Sequence, residues 1–87
     1  MIPIAENPAV TDPAHVLTPA QQDALVSIDF YRNHRFRAGH WLIGNKRVSP
    51  RVIEVLERWE LLRKTSKGLA TTTAGSLAVS KMRGQRP

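Results

Sequence analysis

Residues 48–62 read VSPRVIEVLERWELL, and this stretch decides the fold. Ser49 is placed to cap a helix, its hydroxyl accepting from a backbone N–H that the first turn leaves free. Pro50 follows at the first helical position, where φ is already set and no N–H is wasted. On a helical wheel Val52, Ile53, Leu56 and Trp59 fall on one side, with Val55 at its edge. Arg51, Glu54, Glu57 and Arg58 fall on the other. The spacing predicts one amphipathic helix over residues 49–62. Lys46-Arg47 precedes it and Arg63-Lys64 follows it. A packed back with cationic ends suits a helix that meets a polyanion. It equally suits an ordinary core helix, so the flanking sequence must decide.

Upstream, residues 38–43 (AGHWLI) form a short apolar run and read as a second helix. Gly44-Asn45 would close it, because both residue types tolerate the left-handed conformation. Short helix, turn with glycine, capped helix is the order of a helix-turn-helix. Arg35-Phe36-Arg37 alternates basic and apolar residues and reads as a short strand. Thr18, Pro19 and Gln21 mark an earlier helix start, with Gln21 placed to complete a capping box. That helix should reach residue 31 or 33. Ala20, Ala24, Leu25, Ile28 and Tyr31 make its apolar stripe, and Val26 and Phe30 make a second one on the opposite side. The second stripe reads as a dimer contact or as packing under the C-terminal helix. Residues 1–16 contain Pro3, Pro8 and Pro13 without sustained periodicity and are expected to form a flexible arm.

Downstream, residues 61–65 and 69–72 flank the polar turn Ser66-Lys67-Gly68 and predict a hairpin. Thr72 or Thr73 then caps a last helix over residues 74–82, with Leu77, Ala78 and Met82 inward and Gly75 weakening it. Residues 83–87 form a basic tail. The fold class is mainly α with a small β-hairpin (α+β), in one domain over residues 17–82.

In this order the chain resembles the winged helix-turn-helix superfamily. Three stretches carry the likeness: KRVSPRVIEVLERW at 46–59, ELLR at 60–63, and LATTTAGSL at 69–77. The second is similar to the "GLLR"-like entry to the wing. The third is similar to the "L-T-x-x-G-x-x-L" close of the wing in MarR- and PadR-type regulators. Glu60 stands where those families carry glycine, the wing is short, and the long dimerisation helices of MarR-type proteins are missing. The resemblance implies that the third helix lies in the major groove. Ser49, Arg51 and Glu54 would then face base edges, with Arg58 further along and Arg51 placed for guanine. Lys46 and Arg47 would hold phosphate, Lys64 and Lys67 would touch the backbone from the wing, and Arg35 and Arg37 would add contacts from the first strand. Glu54 and Glu57 count against DNA, since carboxylates repel phosphate. Glu54 would either accept from cytosine or pair with Arg58 four residues on.

Composition supports a polyanionic partner. The 87 residues carry a net charge of +6, and the charge is unevenly placed. Before Arg32 there are four acidic residues (Glu6, Asp12, Asp23, Asp29) and no lysine or arginine. From Arg32 onward, 13 basic residues stand against three glutamates, a net of +10. A domain this small is marginally stable alone, so a homodimer fits. With no cysteine, disulfides and thiolate metal sites are excluded, and a cytoplasmic protein fits, nucleoid-associated if it binds DNA. No apolar run approaches the roughly 20 residues of a membrane span, and the N-terminus lacks a secretory pattern. His15, His34 and His40 lack metal-type spacing, and there is no nucleophile–base pair or glycine-rich phosphate loop. No cofactor and no enzymatic activity are therefore expected. Trp41 and Trp59 fall on apolar faces and read as core aromatics. The expected function is a small bacterial- or phage-type transcriptional regulator that binds double-stranded DNA. The alternative is a winged-helix module that binds protein, as an antiactivator or assembly subunit. Whether Lys46, Arg47, Arg51, Lys64 and Lys67 form one positive face discriminates the two.

Overall fold

The N-terminal prolines start helices instead of preventing them. A computed structural model of the chain describes residues 2–31, 34–44, 46–66 and 68–85, with only the backbone of Gln85. It begins with a 3-10 turn, Ile4–Glu6, and two single-turn helices, α1 (Pro8–Thr11) and α2 (Pro13–Val16). Pro8 and Pro13 each open their helix, where a missing N–H costs nothing. Asn7 caps α1 by accepting from the Ala9 N–H at 3.0 Å, and its amide donates to the Trp59 carbonyl at 2.7 Å. Asn7, Ala9, Val10, Pro13 and Leu17 are buried. The flexible arm expected at residues 1–16 is thus regular structure from residue 4 and packed on the core from Asn7 onward. Each turn is too short to show a helical period, yet α1 and α2 pack against the C-terminal helix and bury Ala9, Val10 and Pro13. The Cα radius of gyration is 12.1 Å, close to the ~12 Å of a compact chain this long, which leaves no extended arm.

α3 (Pro19–Phe30) follows with the expected capping box: the Gln21 N–H donates to Thr18 Oγ1 at 3.2 Å, and the Thr18 N–H donates to Gln21 Oε1 at 3.0 Å. Ala24, Leu25, Ser27 and Ile28 are buried, whereas Ala20 and Tyr31 are exposed.

Next come three antiparallel strands, β1 (His34–Arg37), β2 (His40–Ile43) and β3 (Lys46–Val48), in that order across one sheet. The helix expected over residues 38–43 is therefore a strand, and the helix-turn-helix order is not formed. Ala38 (φ 55°) and Gly39 (φ 81°) make a two-residue turn with both φ positive, as a type I′ hairpin requires. The register places Phe36 opposite Trp41 and Trp41 opposite Val48, while Arg35 lies opposite Leu42 and Leu42 opposite Arg47. Alternation then gives an inner face with Phe36, Trp41, Ile43 and Val48 and an outer face with Arg35, Arg37, His40, Leu42 and Arg47. Ile43 and Val48 are buried, which fixes the inner face as the core side.

α4 (Pro50–Arg58) is capped by Ser49, whose hydroxyl accepts from the Arg51 N–H at 3.2 Å, and it buries Ile53 and Leu56. It ends four residues before the expected limit. The Glu60 N–H donates to Glu57 O at 2.9 Å and the Leu61 N–H to Leu56 O at 3.0 Å, a Schellman closure around Glu60 at φ 62°. The exit from α4 thus has the left-handed geometry that glycine gives elsewhere. β4 (Leu62–Thr65) and β5 (Gly68–Thr71) form the expected hairpin, and α5 (Thr73–Gln85) closes the fold. Thr72 caps α5, its Oγ1 accepting from the Gly75 N–H at 3.0 Å. Ala74, Ala78, Val79 and Met82 face inward; Leu77, expected inward, is exposed. Of the basic tail expected over 83–87, Arg83 and Gly84 continue α5, and residues 86 and 87 lie outside the described residues.

His34 joins three elements. Its Nδ1 accepts from the Leu69 N–H at 3.3 Å, so the proton sits on Nε2, which donates to Tyr31 O at 2.6 Å. That ties β1 to β5 and to the end of α3. The architecture is α+β, with Leu25, Ile43, Ile53, Leu56, Leu61 and Val79 fully buried at its centre. Among the described residues no helix is long and apolar enough to cross a membrane.

Candidate nucleic-acid interface

The outer face of the three-stranded sheet gathers three arginines. Arg35 and Arg47 flank Leu42 in one cross-strand row, and Arg37 lies opposite His40 in the next. Strand spacing puts Arg35 and Arg47 about 10 Å apart across the sheet, and Arg35 and Arg37 about 7 Å apart along β1. All three arginines are exposed. Among the described residues the ion pairs are His15–Asp12, Lys46–Asp23 and Lys64–Glu57, and none involves these arginines. The acidic residues stand elsewhere: Glu6, Asp12, Asp23 and Asp29 on the N-terminal elements and α3, and Glu54, Glu57 and Glu60 on α4 and its exit. A guanidinium without an internal partner keeps its fork of N–H donors available for phosphate.

The structure separates residues that are neighbours in sequence. Lys46 and Arg47 point to opposite faces because side chains alternate along a strand. Lys46 turns inward and pairs with Asp23 of α3, while Arg47 turns outward. Arg51 and Arg58, seven residues apart, share the solvent stripe of α4, and neither makes an ion pair among the described residues. Glu54 lies beside them and is not paired with Arg58. Lys64 stands 3.6 Å from Glu57. The Ser49 hydroxyl is occupied in capping α4. Lys67 lies outside the described residues. Whether Lys46, Arg47, Arg51, Lys64 and Lys67 form one positive face is the feature that separates DNA binding from protein docking, and among the described residues that face is divided, which counts against DNA at the entry of α4. Lys46 and Lys64 are each held by a carboxylate, and Arg47 and Arg51 sit on separate surfaces.

The two surfaces face different ways. Pro50 and Ile53 of α4 line a groove with Phe36 and Trp41, so α4 packs on the inner side of the sheet. The outer arginines point away from it. His40 and Leu42 join them on the outer face, and sequence reading did not single these two out. The two-residue turn Ala38-Gly39 between Arg37 and His40 is the signal that would have found them, since it pairs the flanking strands residue by residue.

Val26 and Phe30 do not form one exposed stripe. Val26 is partly buried against the core, whereas Phe30 is 68% exposed with its ring edge-on to Tyr31 at 5.0 Å. Among the described residues no three His, Asp or Glu side chains come together as metal ligands. No protein-family model, no curated protein and no solved structure matches the chain.

Proposed function

We propose that the chain is a small DNA-binding protein that grips duplex DNA through the outer face of its three-stranded sheet. The observation that carries this is the set Arg35, Arg37 and Arg47 on one solvent face, which among the described residues holds no carboxylate and makes no ion pair. Leaving these three arginines exposed and unpaired keeps their charge for a polyanion, whose counterions are released on binding. A two-stranded β-ribbon fits the major groove as an α-helix does. In this reading the β1–β2 ribbon is the reading element. The arginines hold phosphate, and His40 and Leu42 between them meet base edges. Arg51 and Arg58, on the solvent stripe of α4 that faces another way, lie outside this contact. The winged-helix likeness of α4, the β4–β5 hairpin and α5 then describes the scaffold. Transcriptional regulation is the role that such a binder would serve.

The test is a salt titration of binding to mixed-sequence duplex DNA. Three phosphate contacts predict that log K falls against log salt with a slope of about −2.7. Arg35→Ala, Arg37→Ala and Arg47→Ala together should remove most of that slope, at about one unit per contact. Arg51→Ala with Arg58→Ala should leave the slope unchanged. Absence of measurable binding even near about 50 mM salt overturns the reading. The rival reading, a protein-docking module, draws on the exposed Phe30–Tyr31 pair, and it gains if DNA binding is absent.

A further inference from the structure

A groove of about 360 Å³ opens between the β1–β2 hairpin, α4 and β4. Its apolar lining is Phe36, Trp41, Pro50 and Ile53, and its polar lining is Glu54 and Lys64. The volume falls in the ~300–1,000 Å³ range of small-ligand sites. Phe36 is 58% exposed, and its ring meets Trp41 at 5.4 Å with a tilt of 58°. Trp41, expected to be a core aromatic, is only partly buried. Trp41 thus packs against the core on one side and walls the groove with Phe36 on the other.

Phe36 sits on an edge strand between Arg35 and Arg37. Its ring leaves on the inner face and the two guanidiniums on the outer. A polymer crossing that edge meets cation, ring and cation within about 7 Å of strand. A planar ring between two anionic groups is the repeating unit of a nucleic-acid strand. Stacking of bases on aromatic side chains beside a cationic track is how single strands are held without sequence preference.

We infer that this groove takes one unpaired base of a DNA strand, stacked on Phe36, with the flanking phosphates on Arg35 and Arg37. The inference rests on the DNA-binding reading above and goes beyond it. It adds a base pocket on the other side of the β1 edge, served by the same Arg35 and Arg37, and a preference for unpaired over paired nucleotides.

The experiment uses the full chain with Trp59→Phe, which leaves Trp41 as the single tryptophan. Three DNA probes are titrated while Trp41 emission is followed: an oligothymidine strand, the same strand in a blunt duplex, and a strand of equal length with abasic positions. A poly-glutamate of similar charge is the fourth. The oligothymidine strand should quench Trp41 and bind about tenfold more tightly than the abasic strand, the loss expected for one stacked base. Phe36→Ala should abolish that advantage and leave blunt-duplex affinity within about twofold. Phe36→Leu, which keeps apolar bulk without a ring, should behave as Phe36→Ala does and separates stacking from folding. Equal affinity for the oligothymidine and abasic strands overturns the inference and leaves the duplex reading standing. Equal quenching by poly-glutamate overturns it too, because charge alone would then explain the response. Absence of binding to every DNA probe overturns the inference together with the reading beneath it.

Discussion

The carbonyl oxygen of Leu61 stands where a Cβ on Gly75 would be. The first turn of α5 packs backbone to backbone on the exit from α4, and the same oxygen accepts from the Thr72 N–H at 3.0 Å. In an open helix Gly→Ala gains up to about 1 kcal/mol. At residue 75 the sign reverses. Gly75→Ala should destabilise by about 2 kcal/mol, in the range of overpacking. Urea unfolding beside Gly84→Ala is the check, since nothing lies within 4 Å of a Cβ at Gly84. Equal midpoints for the two variants would mean that α5 is free to move off Leu61.

Glu60 occupies the left-handed position that ends α4, at φ 62°. Two contacts hold it there: its carboxylate accepts from the Ile2 N–H at 2.5 Å, and its carbonyl accepts from Thr72 Oγ1 at 2.6 Å. A side chain at such a φ costs about 1 kcal/mol that glycine does not. Glu60→Ala loses the carboxylate contact and keeps the strain, whereas Glu60→Gly loses the contact and the strain together. Glu60→Gly should therefore be the more stable of the two by about 1 kcal/mol. Denaturant midpoints in the reverse order would show that the N-terminal contact, not backbone conformation, governs this position.

Ala38 is the first residue of a type I′ turn and is held at φ 55°. Asparagine visits that region more readily than alanine. Ala38→Asn should raise stability by about 0.5–1 kcal/mol, read as a higher urea midpoint with an unchanged m-value. A lower midpoint would mean that the turn relaxes when its sequence changes.

What the sequence made legible follows from how local each signal is. The caps at Thr18 and Ser49 are complete within four residues, and both helices begin where those caps stand. The β4–β5 hairpin was legible for the same reason. The β2 strand was not, because AGHWLI is too short for a helical period to be told from a strand. The residue pair that settles it, Ala38-Gly39, reads as a turn only once β1 and β2 are both seen as strands. The N-terminal segment failed differently. It carries no sustained periodicity, and its signal is instead the position of Pro8 and Pro13, since at the first position of a helix proline is a good starter. The candidate site inherited these errors. With β3 read as a turn, nothing told which way Lys46 and Arg47 point.

His15 provides the pH-dependent prediction. Its Nδ1 lies 2.8 Å from Asp12 Oδ1, and the hydrogen bond to that carboxylate, helped by its charge, raises the imidazole pKa above 6.5. Because the folded value is raised, the pair's contribution is complete below 6.5, the ordinary value, and is lost as pH rises through the folded value. The ring is fully exposed, so the effect on global stability is small. Asp12→Asn should bring the His15 midpoint back toward 6.5, measured by NMR titration of the ring protons. A midpoint unchanged by Asp12→Asn would mean that the pair does not persist in solution.

Lys46 and Arg47 supply the sharpest functional contrast because they are adjacent and chemically alike. Lys46 is already bound to Asp23 on the inner side of β3, so moving it to a phosphate would require breaking that pair. Arg47 stands on the outer face with no ion pair among the described residues. Arg47→Ala should flatten the salt dependence of duplex binding by about one unit and leave stability nearly unchanged. Lys46→Ala should leave the slope unchanged and cost less than about 1 kcal/mol of stability, since both partners of its pair are largely exposed. Equal flattening by the two substitutions would place both cations on DNA. It would return the binding surface to the entry of α4, where Arg51 waits, and remove the sheet face from the argument.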